Sequence, residues 1–203
     1  MRIGERKRAE WTEASERKRQ ICDAAITVFA NRSYGTATTT EVAQQAGVSQ
    51  ATVFKYFATK RELFLAVLSL TTDLVEERWQ ADADGQASPL AGLRAIARTY
   101  AMMAATQQDA FRVRIRAVAE SDDPEIQAAA RSSYERLVCF VQGLVEAARA
   151  QGELPATVDP RAAAWYFLSV GQGFNLNHFV GFGWDETTLE TIIADLFRGM
   201  GVN

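Results

Sequence analysis

The chain has 203 residues, enough to bury one core or two small ones, and its 48% hydrophobic and 23% charged content is ordinary for a soluble globular protein. The net charge of −3 argues weakly against nucleic acid, but residues 1–64 hold eleven Lys and Arg against seven Asp and Glu (+4), the remainder eleven against eighteen (−7), and every lysine lies in the first sixty residues. A single histidine, cysteines (Cys22, Cys139) at no metal or redox spacing, and the lack of a nucleophile elbow, Gly-rich phosphate loop or metal-ligand cluster exclude most enzymatic chemistry, so neither catalysis nor a cofactor is expected.

Residues 1 to about 15 are polar and mixed in charge. Arg2, Arg6, Lys7 and Arg8 fit a basic arm in a minor groove or a solvated tail. No apolar signal-peptide core follows, so a cytoplasmic protein is expected. A first helix is predicted over 17–32 from Ile21, Ala25, Val28 and Phe29 at helical spacing. Next, Thr38 and Glu41 form a capping box for a short helix with Val42, Ala43 and Ala46 on its apolar face. Gly47 ends it. Ser49 caps a second short helix, with Val53 and Phe57 one turn apart inside and Gln50, Thr52, Lys55 and Tyr56 outside. Two such helices joined by a Gly turn read as a helix-turn-helix, whose second helix fits a DNA major groove. Thr59 and Glu62 form another capping box, so Lys60 lies in the first turn of a new helix, where a cation opposes the helix dipole. Anchoring a DNA phosphate would explain it; a solvated surface lysine is the plainer alternative.

Residues 17–68 resemble the DNA-binding domain of the tetracycline-repressor (TetR) family of bacterial regulators. The likeness rests on IxxAAxxxFAxxxY (Ile21 to Tyr34), TTxxVAxxAGVS (Thr38 to Ser49) and TVFKYFxxKxxLFxAVL (Thr52 to Leu68), about a quarter of the chain. It implies a DNA-contacting set of Thr38, Ser49, Gln50, Ala51, Thr52, Phe54, Lys55, Tyr56 and Lys60. The family often has tyrosine where Phe54 stands; without the hydroxyl, Phe54 offers only apolar contact to a sugar or a thymine methyl.

The helix from Lys60 continues past Trp79, about 30 Å at 1.5 Å per residue, with Leu63, Val67, Leu74 and Val75 on one stripe. ADADGQAS, 81–88, is a linker. Ser88-Pro89, Asp123-Pro124 and Asp159-Pro160 each pair a capping residue with proline at a helix start. Phe111 to Arg116 alternates as a strand would, but no second strand exists to pair with it, so helix is expected. Residues 162–184 carry no charged side chain; their four glycines and scattered polar residues argue for a helix buried in a dimer rather than a membrane span. A last helix is capped by Asp185, with Leu189, Ile192, Ile193, Leu196 and Phe197 on a seam. The fold class is therefore all-α: an N-terminal three-helix helix-turn-helix domain (1–64) and a C-terminal helical ligand-binding and dimerisation domain (65–203), about nine helices in all.

A single helix-turn-helix makes few base contacts, and dimers solve this by reading two half-sites of a pseudo-palindromic operator. Residues 160–181 and 185–200 are the candidate homodimer surface, a four-helix interface that the family resemblance also implies. The resemblance implies a ligand pocket in the body, for which Tyr100, Met103, Phe111, Tyr134, Trp165, Phe174, Asn175 and His178 are the candidate lining; each also fits plain core packing. The expected function is a DNA-binding transcriptional repressor released from its operator by a small, largely apolar effector. A DNA-binding dimer answering to a protein partner, or to no ligand, fits the same residues.

Overall fold

A computed structural model describes residues 13–119, 122–183 and 185–202, and of residue 104 the backbone alone. The basic-arm candidates at positions 2, 6, 7 and 8 lie outside the described residues. Nine helices and no strand occur among the described residues: α1 (Glu13–Asn31), α2 (Thr39–Ala46), α3 (Gln50–Tyr56), α4 (Lys60–Asp84), α5 (Pro89–Thr106), α6 (Gln108–Ala119), α7 (Pro124–Ala150), α8 (Pro160–Phe179) and α9 (Glu186–Gly199). The all-α expectation holds. The alternating 111–116 segment is helical, inside α6, where Phe111 and Val113 are buried. Among the described residues no helix is long and apolar enough to cross a membrane.

Capping chemistry sets the boundaries. Thr38 Oγ1 accepts from the Glu41 N–H at 3.2 Å, and the Glu41 carboxylate accepts from the Thr38 N–H at 2.9 Å, the reciprocal box expected from sequence. Ser88, Asp159 and Asp185 each accept from the backbone N–H three residues on. Glu62 departs slightly from expectation: Thr59 caps its N–H at 3.0 Å, but its carboxylate reaches back to the N–H of Ala58.

The chain forms two compact units. Unit 1 holds the described residues up to Leu70 together with Arg112–Ala130; unit 2 holds Thr71–Phe111 and the described residues from Arg131 onward. Sequence composition places a boundary at 64/65. In the structure α4, α6 and α7 each contribute residues to both units, because a helix is a single hydrogen-bonded rod and its two ends can enter different cores.

Unit 1 buries Ile21, Ala25 and Phe29 of α1, Val42, Ala43 and Ala46 of α2, Val53 of α3, Leu63, Phe64, Val67 and Leu68 of α4, and Val113 and Ile126. Phe29 and Phe64 meet edge to face with centroids 4.9 Å apart, and Tyr34 packs at a tilt on Phe64 with centroids 5.0 Å apart. Each fully buried large side chain is worth roughly 1.5–3 kcal/mol of transfer free energy, so these few rings fix how α1 meets α4.

Unit 2 is built on α5 against α8, with α9 packed on both. Trp79 sits at its centre, edge to face with Tyr100 at 5.0 Å. Close approach of α5 and α8 depends on Gly171: a Cβ there would overlap Cδ1 and Cε1 of the Tyr100 ring. Asn175, fully buried, donates to the Tyr100 carbonyl at 3.2 Å and to the Gly171 carbonyl at 2.7 Å, so its amide ties the two helices where the glycine lets them touch.

Candidate functional site

The recognition element is assembled by local backbone chemistry. Gly47 has φ +66°, a left-handed conformation that costs an L side chain free energy. The Gly47 N–H bonds to Gln44 O at 3.2 Å and the Val48 N–H to Ala43 O at 3.0 Å, the paired bonds of a Schellman motif. Gln20 of α1 caps the remaining Ala46 carbonyl through Nε2 at 2.9 Å. Val48 then leads directly to Ser49, whose Oγ accepts from the Thr52 N–H at 3.1 Å and starts α3. Val53 and Phe57, buried at 0% and 1%, lock the inward face of α3. The outward face is thereby fixed in rotation.

That face carries Gln50, Ala51, Phe54 and Lys55, all exposed, with Tyr56 half-buried beside them. Phe54 is 45% exposed, unusual for so large an apolar side chain. The Lys55 ammonium lies 5.8 Å from the Tyr56 ring centroid. Gln50 Nε2 donates to Thr39 Oγ1 at 3.0 Å, a link from α3 to α2. Ser49 and Thr52 share a hydroxyl–hydroxyl hydrogen bond at 2.8 Å, and the Thr38 hydroxyl donates to Glu41 at 2.9 Å; Thr38 and Ser49 are the helix caps.

Lys60 takes a place that sequence reasoning did not foresee. Its ammonium donates to the carbonyls of Tyr34, Gly35 and Ala37 at 2.8, 3.3 and 3.1 Å. It also lies 4.7 Å from the Tyr34 ring centroid. All three N–H groups have acceptors, so a phosphate would have to displace one. The cation at the start of α4, unfavourable for the helix dipole, is compensated by the carbonyls of the α1–α2 loop.

In unit 2 the candidate effector-lining residues divide. Tyr100, Met103, Phe111, Phe174 and Asn175 are buried together. Tyr134 and His178 lie at half-buried positions, where Gln172 Nε2 donates to the Tyr134 hydroxyl and Gln108 Nε2 pairs with His178 Nε2 at 3.3 Å. Trp165 does not join them; it is 44% exposed. Ala163, Ala164, Phe167, Leu168, Gly171 and Phe174 occupy the inner face of α8, and Trp165 falls on the opposite stripe with Tyr166, Ser169, Leu176 and Val180. A cavity between Tyr100, Phe167, Gly171, Phe174, Ile193 and Leu196 measures about 10 Å³, at the threshold for one water.

Residues 21–67 match the family model for bacterial regulatory proteins of the tetR family. The N-terminal helix-turn-helix segment is thus of the TetR type. The chain is 43% identical over 58 residues to the HTH-type transcriptional activator FasR of Mycolicibacterium smegmatis, covering 29% of the chain and 26% of FasR. It is 28% identical over 95 residues to the HTH-type transcriptional regulator HbdR of Aromatoleum sp. (strain CIB), covering 47% of the chain and 42% of HbdR. Both alignments thus span less than half of the relative's length. Over the fold, the chain is similar to the transcriptional regulator FadR from Bacillus subtilis in complex with stearoyl-CoA (TM-score 0.74, 18% identity, 89% of this chain and 95% of that one). It is also similar to AibR in complex with isovaleryl coenzyme A and operator DNA (TM-score 0.68, 23% identity, 89% and 98%).

Proposed function

We propose that this chain is a dimeric, cytoplasmic DNA-binding transcriptional regulator, in which α3 reads a major groove and the helical body responds to a small, largely apolar effector by releasing the DNA. The observation that carries the reading is the outward row Gln50, Ala51, Phe54 and Lys55 on a helix whose rotation is fixed from behind by Val53 and Phe57. A polar, cationic and apolar contact within two turns is the equipment for reading base edges beside a phosphate strand. Two copies would supply two half-sites.

The apolar stripe of α8 supports the dimer. Trp165, Tyr166, Leu176 and Val180 are 44%, 46%, 51% and 70% exposed, an apolar strip that a second copy would cover. Division of labour between an N-terminal reading domain over about 1–64 and a sensing body over 65–203 is part of the proposal. Coupling between them follows population-shift logic: an effector changes DNA affinity only by its preference between two packings of the body, tenfold for every ~1.4 kcal/mol. α4 is the natural carrier, with Leu63 and Val67 in the core of unit 1 and Val75 and Trp79 in that of unit 2. The fold likeness to regulators solved with stearoyl-CoA and isovaleryl coenzyme A makes acyl thioesters the first effector class to try.

A second reading, a DNA-binding dimer answering to a protein or to no ligand, is favoured by the close packing around Tyr100, where about 10 Å³ is free. Duplex selection from a random pool followed by anisotropy titration in modest salt tests the common ground: selective binding is expected, and no preference over random competitor overturns both. Release of the selected duplex by acyl-CoA esters of graded chain length favours the first; indifference to all of them favours the second.

A further inference from the structure

Gln50 opens the recognition helix, yet its side chain is not free to sweep the groove. Its Nε2 donates to Thr39 Oγ1 at 3.0 Å, across eleven residues and from one helix to the next. The acceptor is itself well held. Thr39 is the first residue of α2, inside the Thr38–Glu41 capping box, and its β-branched side chain has a restricted χ1. A carboxamide carries two N–H groups and one carbonyl. With one N–H on Thr39, the other N–H and the carbonyl oxygen are left for a base. That pair matches one base: N–H to N7 and oxygen from the N6 amino group of adenine. Guanine offers two acceptors there, and would set the Gln50 oxygen against O6.

Resting on the proposed DNA-reading role of α3, we propose that Thr39 is a positioning residue for base readout: its hydroxyl sets the Gln50 carboxamide so that Gln50 recognises an adenine in each half-site. Thr39 acts through Gln50 and needs no base contact of its own. Without the hydroxyl the carboxamide rotates freely and presents either a donor or an acceptor, so adenine loses its advantage.

The test uses the full chain and three variants: Thr39→Val, close in shape without a hydroxyl, Thr39→Ser, which keeps the hydroxyl, and Gln50→Ala. Each is put through duplex selection and titrated against the selected duplex and a random duplex at several salt concentrations. The wild type should prefer adenine at one position per half-site by about tenfold. Thr39→Val should cut that preference to about threefold or less, with random-duplex affinity and salt slope unchanged. Thr39→Ser should restore it, and Thr39→Val should add nothing in a Gln50→Ala background. Thermal unfolding by circular dichroism checks that the variants are folded; should Thr39→Val unfold, Thr39→Ala replaces it in the same comparison. An adenine preference that survives loss of the hydroxyl overturns the proposal. So does a fall in salt slope of about one, which would make Thr39 a phosphate contact, or a base other than adenine at the Gln50-dependent position. A wild type that selects no duplex overturns the DNA-reading role itself, a distinct outcome.

Discussion

The Lys60 ammonium lies 2.8 Å from the carbonyl oxygen of Tyr34 and 4.7 Å from the centroid of the same residue's ring. One side chain therefore closes the α1–α2 loop and covers the aromatic that packs on Phe64. Replacing Lys60 with Ala or Met leaves three loop carbonyls without their donor. Stability should fall by about 1–3 kcal/mol in urea unfolding, in line with hydrogen bonds to a charged group. An unchanged midpoint together with weakened DNA binding would instead identify Lys60 as a phosphate ligand.

Lys55 is the cation of α3, exposed on the same helix as Gln50, Ala51 and Phe54. Lys55→Ala should weaken binding to specific and random duplexes alike and lower the salt slope by about one. An identical slope in the two proteins would take Lys55 off the phosphate backbone.

Gly171→Ala should destabilise by about 1–3 kcal/mol as an overpacking change. Helix propensity alone would make alanine the better residue by roughly 1 kcal/mol, so the sign of the change in melting temperature decides between the two effects. The added Cβ runs into the Tyr100 ring, which Trp79 and Phe111 hold from other sides. Combining it with Tyr100→Leu should return part of the loss.

Trp165→Glu with Leu176→Glu should give folded monomers in sedimentation velocity, because both residues are exposed on α8. Ile193 is unsuited to this test: it is 2% exposed, within the core of unit 2, and a glutamate there would unfold the body. A persistent dimer of the α8 variant would move the interface elsewhere.

Hydrogen bonds from the Thr38 backbone and side chain hold the Glu41 carboxyl below its ordinary value of 4.5. A depressed folded-state value means that this contribution is fully present above 4.5 and is lost as pH falls through the lowered value. Melting curves of the wild type and Glu41→Gln should therefore be separated at pH 6 to 7 and draw together on acidification. A constant separation down to about pH 2 would show that the charge contributes nothing.

Several features were legible in the sequence because their causes lie within three to five residues. The Thr38–Glu41 box, the Gly47 turn, the Ser49 cap and the Asp159-Pro160 start each join neighbours in the chain, and the apolar spacing of Val53 and Phe57 follows from helix geometry. Those local rules fixed the helix count and the face of α3 that points outward. The tertiary structure decided what long-range contact decides. Lys60 reaches carbonyls 23 to 26 residues away, and Gln50 reaches Thr39 across eleven. Trp165 and Phe167 stand two residues apart on an equally apolar helix, yet one is 44% exposed and the other 1%. Periodicity marks a stripe, but only the position of α5, α9 and Gly171 determines which stripe is covered. A side chain's free hydrogen-bonding capacity and its exposure depend on what folding brings beside it, and no local spacing rule contains that information.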